Sequence, residues 1–252
     1  MNGMQIDIAG IESALMARAV PNDPTPLAVA YTVGEWLGAP TSVATITGRC
    51  QLGCAKGVRL DGSLCECWRM RALAERWTRA KLPPHAATLK ASWDGQGAPW
   101  GRLEATSRHL VATGRGPLFY GQQGRGKTWQ ALGIAVCLLE MGVSVRWVSW
   151  PGLRRALIDG IKTGASESDI LRPLASAQVL AIDDLGVGKA GEWMEEIGYA
   201  LVDRRSAAKM PILGTCNGGP AEMERYLGQR VWGRLTACCG AVEIAGESRR
   251  TA

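Results

Sequence analysis

The sequence predicts an α/β protein built on a parallel sheet with helices on both faces. Two observations carry the prediction. From about residue 103 onward, short apolar runs alternate with longer helical stretches, and the first of those runs leads into the glycine-rich segment "GQQGRGKT" at 121–128. Length sets the limits: 252 residues, 46% of them hydrophobic, suffice for one ordinary domain with a core and a smaller module ahead of it.

Taken in order, residues 1–48 carry two weakly amphipathic helical stretches, "IDIAGIESALMARAV" and "PLAVAYTVGEWLG", split by the breaker cluster "PNDPTP". Residues 49–82 hold a cysteine cluster followed by a basic, tryptophan-bearing helix, "CWRMRALAERWTRAKL", and 83–102 read as a linker. Within 103–252, "PLFYG" is a short strand, "KTWQALGIAVCLLEM" a mostly buried helix and "VSVRWVS" a strand alternating at Val143, Val145 and Trp147. Two helical stretches follow, "GLRRALIDGI" and "SESDILRPLASA", and then the strand "QVLAID". The helix "EEIGYALVDRRSAA", the strand "PILGTC", a single helix "AEMERYLGQRVWGRLT" and the strand "AVEIAG" complete a five-stranded parallel sheet.

The pattern G-x-x-x-x-G-K-[ST] falls on Gly121, Gly126, Lys127 and Thr128 and encloses Gln122, Gln123, Gly124 and Arg125. Glycines let backbone N–H groups turn inward around phosphate oxygens, and the helix that follows adds the positive end of its dipole. Lys127 then reaches the terminal phosphates and Thr128 offers its hydroxyl to magnesium. Further along, "VLAIDDLG" puts Asp183 at the end of a buried strand, placed to hold magnesium, and Asp184 beside it, placed to orient or deprotonate an attacking water. Asn217, at the end of "PILGTCN", can hold that water and sense the terminal phosphate.

A net charge of +6 suits contact with phosphates without demanding it. Ten tryptophans against a single phenylalanine leave open whether the rings fill a core or stack on bases. The first residues lack the basic start of a signal peptide, and no uncharged apolar run approaches the roughly 20 residues that cross a bilayer, so the expected setting is cytoplasmic with no membrane partner. In that setting eight cysteines argue for metal or core positions over disulfides. Cys50, Cys54, Cys65 and Cys67 form C-x3-C and C-x-C turns at either end of a hairpin-like stretch, a set that can converge on zinc, with His85 as a remote substitute. Cys137, Cys216, Cys238 and Cys239 sit among apolar or small neighbours and read as core filling.

"LVDRRSAAKMPILGTCN", "LGQRVWGRL" and "IAGESRR", in this order after "FYGQQGRGKT" and "VLAIDDLG", resemble bacterial replicative helicase loaders of the DnaC type, within a group that includes the IstB-type helpers of transposases. Both belong to the AAA+ ATPases, and the resemblance covers about residues 103–252. It implies ATP and magnesium as ligands and self-assembly through the ATP site. Arg234 corresponds to an arginine finger reaching a neighbouring subunit's nucleotide, with Arg230 one turn before it, and Arg250 to a second sensor within its own subunit. It further implies a helix after the second strand that helps hold single-stranded DNA, which makes Trp150, Arg154, Arg155 and Lys162 candidates for stacking and backbone contact. At Asp184 many such ATPases carry a longer Glu. The resemblance thus points to a protein that loads the replicative helicase hexamer onto single-stranded DNA. Two other readings remain: an ATP-gated, DNA-binding helper of a transposase, and a non-hydrolysing adaptor in which ATP props up the fold.

Overall fold

The computed structural model describes residues 66–88, 99–188, 191–246 and 248. The two helical stretches expected in 1–48 and the cysteine turns at 50, 54 and 65 lie outside the described residues. In chain order the elements are α1 (Glu66–Ala80), a 3-10 turn (Pro84–Thr88), α2 (Pro99–Thr113), β1 (Gly116–Tyr120), α3 (Lys127–Glu140), β2 (Val145–Ser149), α4 (Trp150–Thr163) and α5 (Glu167–Ser176). They continue with β3 (Val179–Leu185), α6 (Glu192–Ala207), β4 (Ile212–Cys216), α7 (Pro220–Leu227), α8 (Gln229–Cys238) and β5 (Cys239–Glu243).

The strands form one parallel sheet in the order β2-β3-β4-β1-β5. Because side chains alternate across a strand, each strand feeds two cores. Leu118, Leu180, Ile182 and Ile212 face a layer made from α4 to α8, while Phe119, Val145, Trp147, Val179, Ala181 and Leu213 face α1, α2 and α3. Helix α3 lies buried along Ala131–Leu139, which explains its nearly unbroken apolar sequence. Helix α4 starts where the Ser149 hydroxyl accepts from the Gly152 N–H at 3.1 Å and stops at Gly164, which turns left-handed at φ 79°. Among the described residues no helix is long and apolar enough to cross a membrane.

Two segments differ from the sequence expectation. Helix α2 begins inside the stretch read as a linker and packs on α3 through Leu103, Ser107 and Leu110. Ser107 is buried there because its hydroxyl donates back to the Leu103 carbonyl at 2.8 Å. The stretch expected as a single helix at 221–236 is two, α7 and α8, broken at Gly228 with φ 82°. The left-handed backbone turn favours glycine there, and a Cβ would also come within 2.1 Å of the Glu195 carboxylate and push that side chain aside.

The side chain that ties α5 and α6 to the sheet is Arg205, fully buried. Its guanidinium donates to the carbonyls of Leu174 (2.9 Å), Ala175 (3.3 Å), Ala177 (2.8 Å), Gln178 (3.1 Å) and Pro211 (3.0 Å). They lie at the end of α5 and the edges of β3 and β4, where a cation also meets the negative end of the helix dipole; the Pro211 carbonyl accepts the Leu180 N–H as well, at 3.2 Å. Burial lowers the guanidinium pKa to about 10, so the group stays charged at neutral pH.

Candidate nucleotide site

In the order β3-β4-β1, three adjacent strands deliver their carboxyl ends to one place, the position where open parallel sheets bind ligands. From β1 the chain enters the glycine-rich loop. Gly121, Gly124 and Gly126 have φ of 133°, 80° and 89°, and Gly126 is the left-handed residue from which α3 springs. The loop is also closely backed: a Cβ on Gly121 would meet the Ile244 carbonyl at 2.8 Å and one on Gly124 the Ser248 hydroxyl at 2.2 Å. Ile244 and Ser248 therefore lie directly behind the loop.

Lys127 is 5% exposed, and its ammonium donates to the carbonyls of Gly121 (2.8 Å) and Gln122 (2.7 Å). Desolvation by burial lowers its pKa, opposed by the charges of Asp184 and Asp183. A buried cation resting on loop carbonyls is a fit for an incoming polyphosphate. Arg125 donates to the Gln122 side chain at 2.8 Å and stiffens the outer edge of the loop, while Gln123 is exposed.

The acidic pair sits at a bulge in β3 between Ile182 and Leu185. Asp183 accepts, on one carboxylate oxygen, from Thr128 (3.0 Å) and Thr215 (2.5 Å). Burial raises its carboxyl pKa, and the two hydroxyl donors act against that shift. Asp184 adopts φ 53°, an unusual conformation for a residue with a Cβ. Its N–H donates to the Thr215 hydroxyl at 3.0 Å, and its carboxylate accepts from the Asn217 amide at 3.3 Å. Strain of this kind persists where surroundings over-determine it and clusters at functional sites. Oxygen donors from Thr128 and Asp183 suit magnesium, which would neutralise phosphate charge.

The geometry thus unites Gly121 to Thr128, Asp183, Asp184 and Asn217. It adds Thr215, which the sequence reading passed over; its one signal is a hydroxyl in an otherwise apolar, fully buried strand. Arg250 lies outside the described residues. Arg234 stands on α8, its side chain 49% exposed, bonded to Asp203 at 3.0 Å and 5.9 Å from the centre of the Tyr199 ring. Arg230 stacks closer on the same ring, at 4.4 Å.

Of the DNA candidates, Arg154, Arg155 and Lys162 are exposed on α4, with Lys162 3.9 Å from Asp159. Trp150 is a correction. It is 3% exposed, its ring pressed against Gly198 of α6, where a Cβ would lie 2.8 Å away, so it fills the core and has no face for a base. Cys137, Cys216, Cys238 and Cys239 are buried and form no disulfide, as expected of core thiols. Cys67 lies in the first turn of α1, but its side chain, like Cys50, Cys54 and Cys65, lies outside the described residues, and among the described residues no group of three or more His, Cys, Asp or Glu side chains is placed to hold a metal ion. His85 faces Trp129, the residue after Thr128, with ring centres 6.1 Å apart.

A five-stranded parallel sheet, a glycine loop opening a helix after β1 and an acidic pair at the end of β3, with β4 between them, define a phosphate-loop ATP-binding protein of the AAA+ type. More narrowly, the chain belongs to the family described as IstB-like ATP binding protein, whose profile matches residues 65–252. It is 34% identical over 119 residues to the replicative helicase loader DnaC of Escherichia coli strain K12, covering 47% of this chain and 49% of that protein. With the replicative helicase loader DnaI of Bacillus subtilis strain 168 it shares 25% identity over 157 residues, covering 57% of this chain and 50% of that protein. The chain therefore spans about half the length of the curated relatives it matches.

Solved structures show the same fold. The DnaC helicase loader superposes with TM-score 0.50 at 21% identity, over 56% of this chain and 86% of that one. The replication initiator DnaA bound to AMPPCP and single-stranded DNA does so with TM-score 0.54 at 19% identity, over 68% of this chain and 53% of that one.

Proposed function

We propose that the protein is an ATPase that loads the replicative helicase onto single-stranded DNA. One observation carries the enzymatic part: Thr128, Asp183, Thr215, Asp184 and Asn217 form a continuous hydrogen-bonded chain beside the phosphate loop. In this reading Lys127 binds the terminal phosphates, and Thr128 with Asp183 holds magnesium, which supplies charge neutralisation. Asp184, oriented by Asn217 and by its own strained backbone, takes or directs the proton of the attacking water. Arg234 stabilises charge on the nucleotide of a neighbouring copy, so ATP also favours self-assembly. Arg250 touches the phosphates of its own copy. The shorter Asp at 184, where Glu is common, suits slow turnover and a switch-like use of ATP.

The loading part rests on relatedness to DnaC and DnaI. In the proposal, segment 1–48 grips the helicase, Arg154, Arg155 and Lys162 follow the DNA backbone, and Cys50, Cys54, Cys65 and Cys67 hold a zinc ion that stabilises the module at 49–82. The domain reading is 83–102 as connector and 103–252 as ATPase. A second reading, an ATP-gated DNA-binding helper of a transposase, draws on the IstB-like family description. The two separate in one experiment: mixing the protein with its host's replicative helicase and ATP, and measuring the mass of the product by light-scattering gel filtration. The proposal expects a stable complex that deletion of 1–48 abolishes. No complex under any nucleotide condition, together with tight duplex binding, overturns it in favour of the transposase helper.

A further inference from the structure

Where α8 ends and β5 begins, two cysteines are adjacent in sequence and in space. The Cys238 and Cys239 sulfurs are 3.8 Å apart, Cys238 Sγ also lies 3.5 Å from the Leu235 carbonyl, and Cys239 Sγ lies 3.5 Å from the Ile212 carbonyl. Arg115, just before β1, forks over this junction, donating to the carbonyls of Ala237 (2.6 Å) and Cys239 (3.3 Å) on either side of Cys238. From this geometry we infer that Cys238 and Cys239 form a reversible dithiol site that a small disulfide oxidant closes into a Cys238–Cys239 bridge, altering the end of the helix that carries Arg230 and Arg234.

The two thiols are unequal in a way that suits the exchange. Cys238, 9% exposed against 3% for Cys239, is the more accessible. The Cys239 hydrogen bond holds the Cys238 thiol pKa below its ordinary value, and Arg115 and Arg205 add positive charge in the same direction. Cys239, buried against it, is held well above its ordinary value by the same contact and by desolvation, and keeps its proton. By contrast, burial pushes the Cys216 thiol up to about 12, which leaves it inert at neutral pH.

The exchange balances in two steps. Cys238 thiolate attacks one sulfur of a disulfide R–S–S–R; the new S–S bond forms as the old one breaks, and R–S⁻ leaves and takes up the proton that Cys238 lost. Cys239 then gives up its proton, its sulfur attacks Cys238 Sγ, and the second R–S⁻ leaves as R–SH. Two protein thiols are oxidised and one R–S–S–R is reduced to two thiols. Closure removes the thiol hydrogen bonds to Leu235 and Ile212, one turn from Arg234.

The test uses the full chain and oxidised glutathione. After oxidation, blocking of free thiols and trypsin digestion, the peptide spanning 235–249 is expected to be two hydrogens lighter, with both cysteines unblocked, and dithiothreitol is expected to reverse the change. ATP turnover is expected to fall several-fold on oxidation and to recover on reduction, while a C238A/C239A variant loses none under the same treatment. A peptide in which both cysteines are blocked after oxidation overturns the site, as does a stable glutathione adduct on Cys238 alone. An equal loss of turnover in C238A/C239A overturns the coupling to α8. The peptide mass is read on the unaltered chain, so it stands whether or not the double variant folds and whether or not the ATPase reading holds.

Discussion

The Thr215 hydroxyl donates to Asp183 at 2.5 Å while accepting the Asp184 N–H at 3.0 Å. One side chain on β4 thus fixes both acids of β3, one through its carboxylate and the other through its backbone. Replacing Thr215 with Val keeps shape and removes both bonds. We expect Thr215→Val to lower ATP turnover by about 10–100-fold, the range for lost outer-layer support of a metal ligand, with weaker magnesium dependence and an intact fold. Steady-state kinetics against magnesium concentration checks it; parent turnover would remove Thr215 from the positioning role.

Asp183 gives a pH-dependent stability prediction. Its folded pKa is raised, chiefly by desolvation, so the ligand-free protein carries an unfavourable ionised carboxylate at neutral pH. Below the ordinary carboxylate pKa both folded and unfolded states are protonated and the penalty is absent; it grows as pH rises above that value and is complete once pH has passed the raised folded value. Asp183→Asn is therefore expected to raise Tm at neutral pH, with the gain fading on acidification, while magnesium-dependent ATP binding falls. Melting curves across pH decide the sign, and a gain that grows toward acid refutes it.

Lys127 and Arg234 are expected to fail differently. Lys127→Ala removes the buried cation of the loop and so removes ATP binding. Arg234→Ala leaves binding but cuts turnover by about a thousandfold, as loss of an arginine finger does. Mixing the two variants sharpens the distinction, because a finger acting across subunits is rescued by a partner that retains Arg234. Nucleotide binding by fluorescence and turnover of the mixture are the measurements.

The sheet was legible because its strands are short apolar runs punctuated by glycine or acidic residues, and the loop because its spacing is dictated by phosphate. Helix α2 was not, since its buried seam of Leu103, Ser107 and Leu110 places a hydroxyl where an apolar residue carries the pattern. Gly228 hid the break between α7 and α8, for a lone glycine in a helical run does not announce the carboxylate of Glu195 beside it. Trp150 was misread because what buries it, Gly198, lies on another helix and leaves no mark near residue 150. Thr215 and Arg205 share that reason: their roles consist of contacts made by tertiary packing.

Arg205 is where a conservative change should be severe. Five backbone carbonyls accept from one guanidinium, Pro211 taking the Leu180 N–H as well, and each buried acceptor left without a donor costs about 1–3 kcal/mol. Arg205→Met keeps the bulk and removes the donors, so destabilisation of at least about 3 kcal/mol is expected even after some carbonyls find water. Urea denaturation measures it, and a loss under about 1 kcal/mol would mean the junction repacks.

The DNA reading and the burial of Trp150 make opposite predictions for neighbouring residues on α4. Arg154 and Arg155 are exposed and together with Lys162 present positive charge to solvent, so replacing the two arginines with Ala should weaken single-stranded DNA binding without lowering Tm. Each lost phosphate contact should also make the slope of log affinity against log salt shallower by about 0.7. Trp150→Ala empties a core position instead. Its expected effect is destabilisation of about 3–5 kcal/mol, with DNA affinity unchanged in whatever fraction remains folded. Fluorescence anisotropy with a labelled oligonucleotide at several salt concentrations, beside melting curves, separates the two. If Arg154→Ala/Arg155→Ala leaves the salt slope intact, the DNA path lies elsewhere on the protein, and α4 is an ordinary solvated helix.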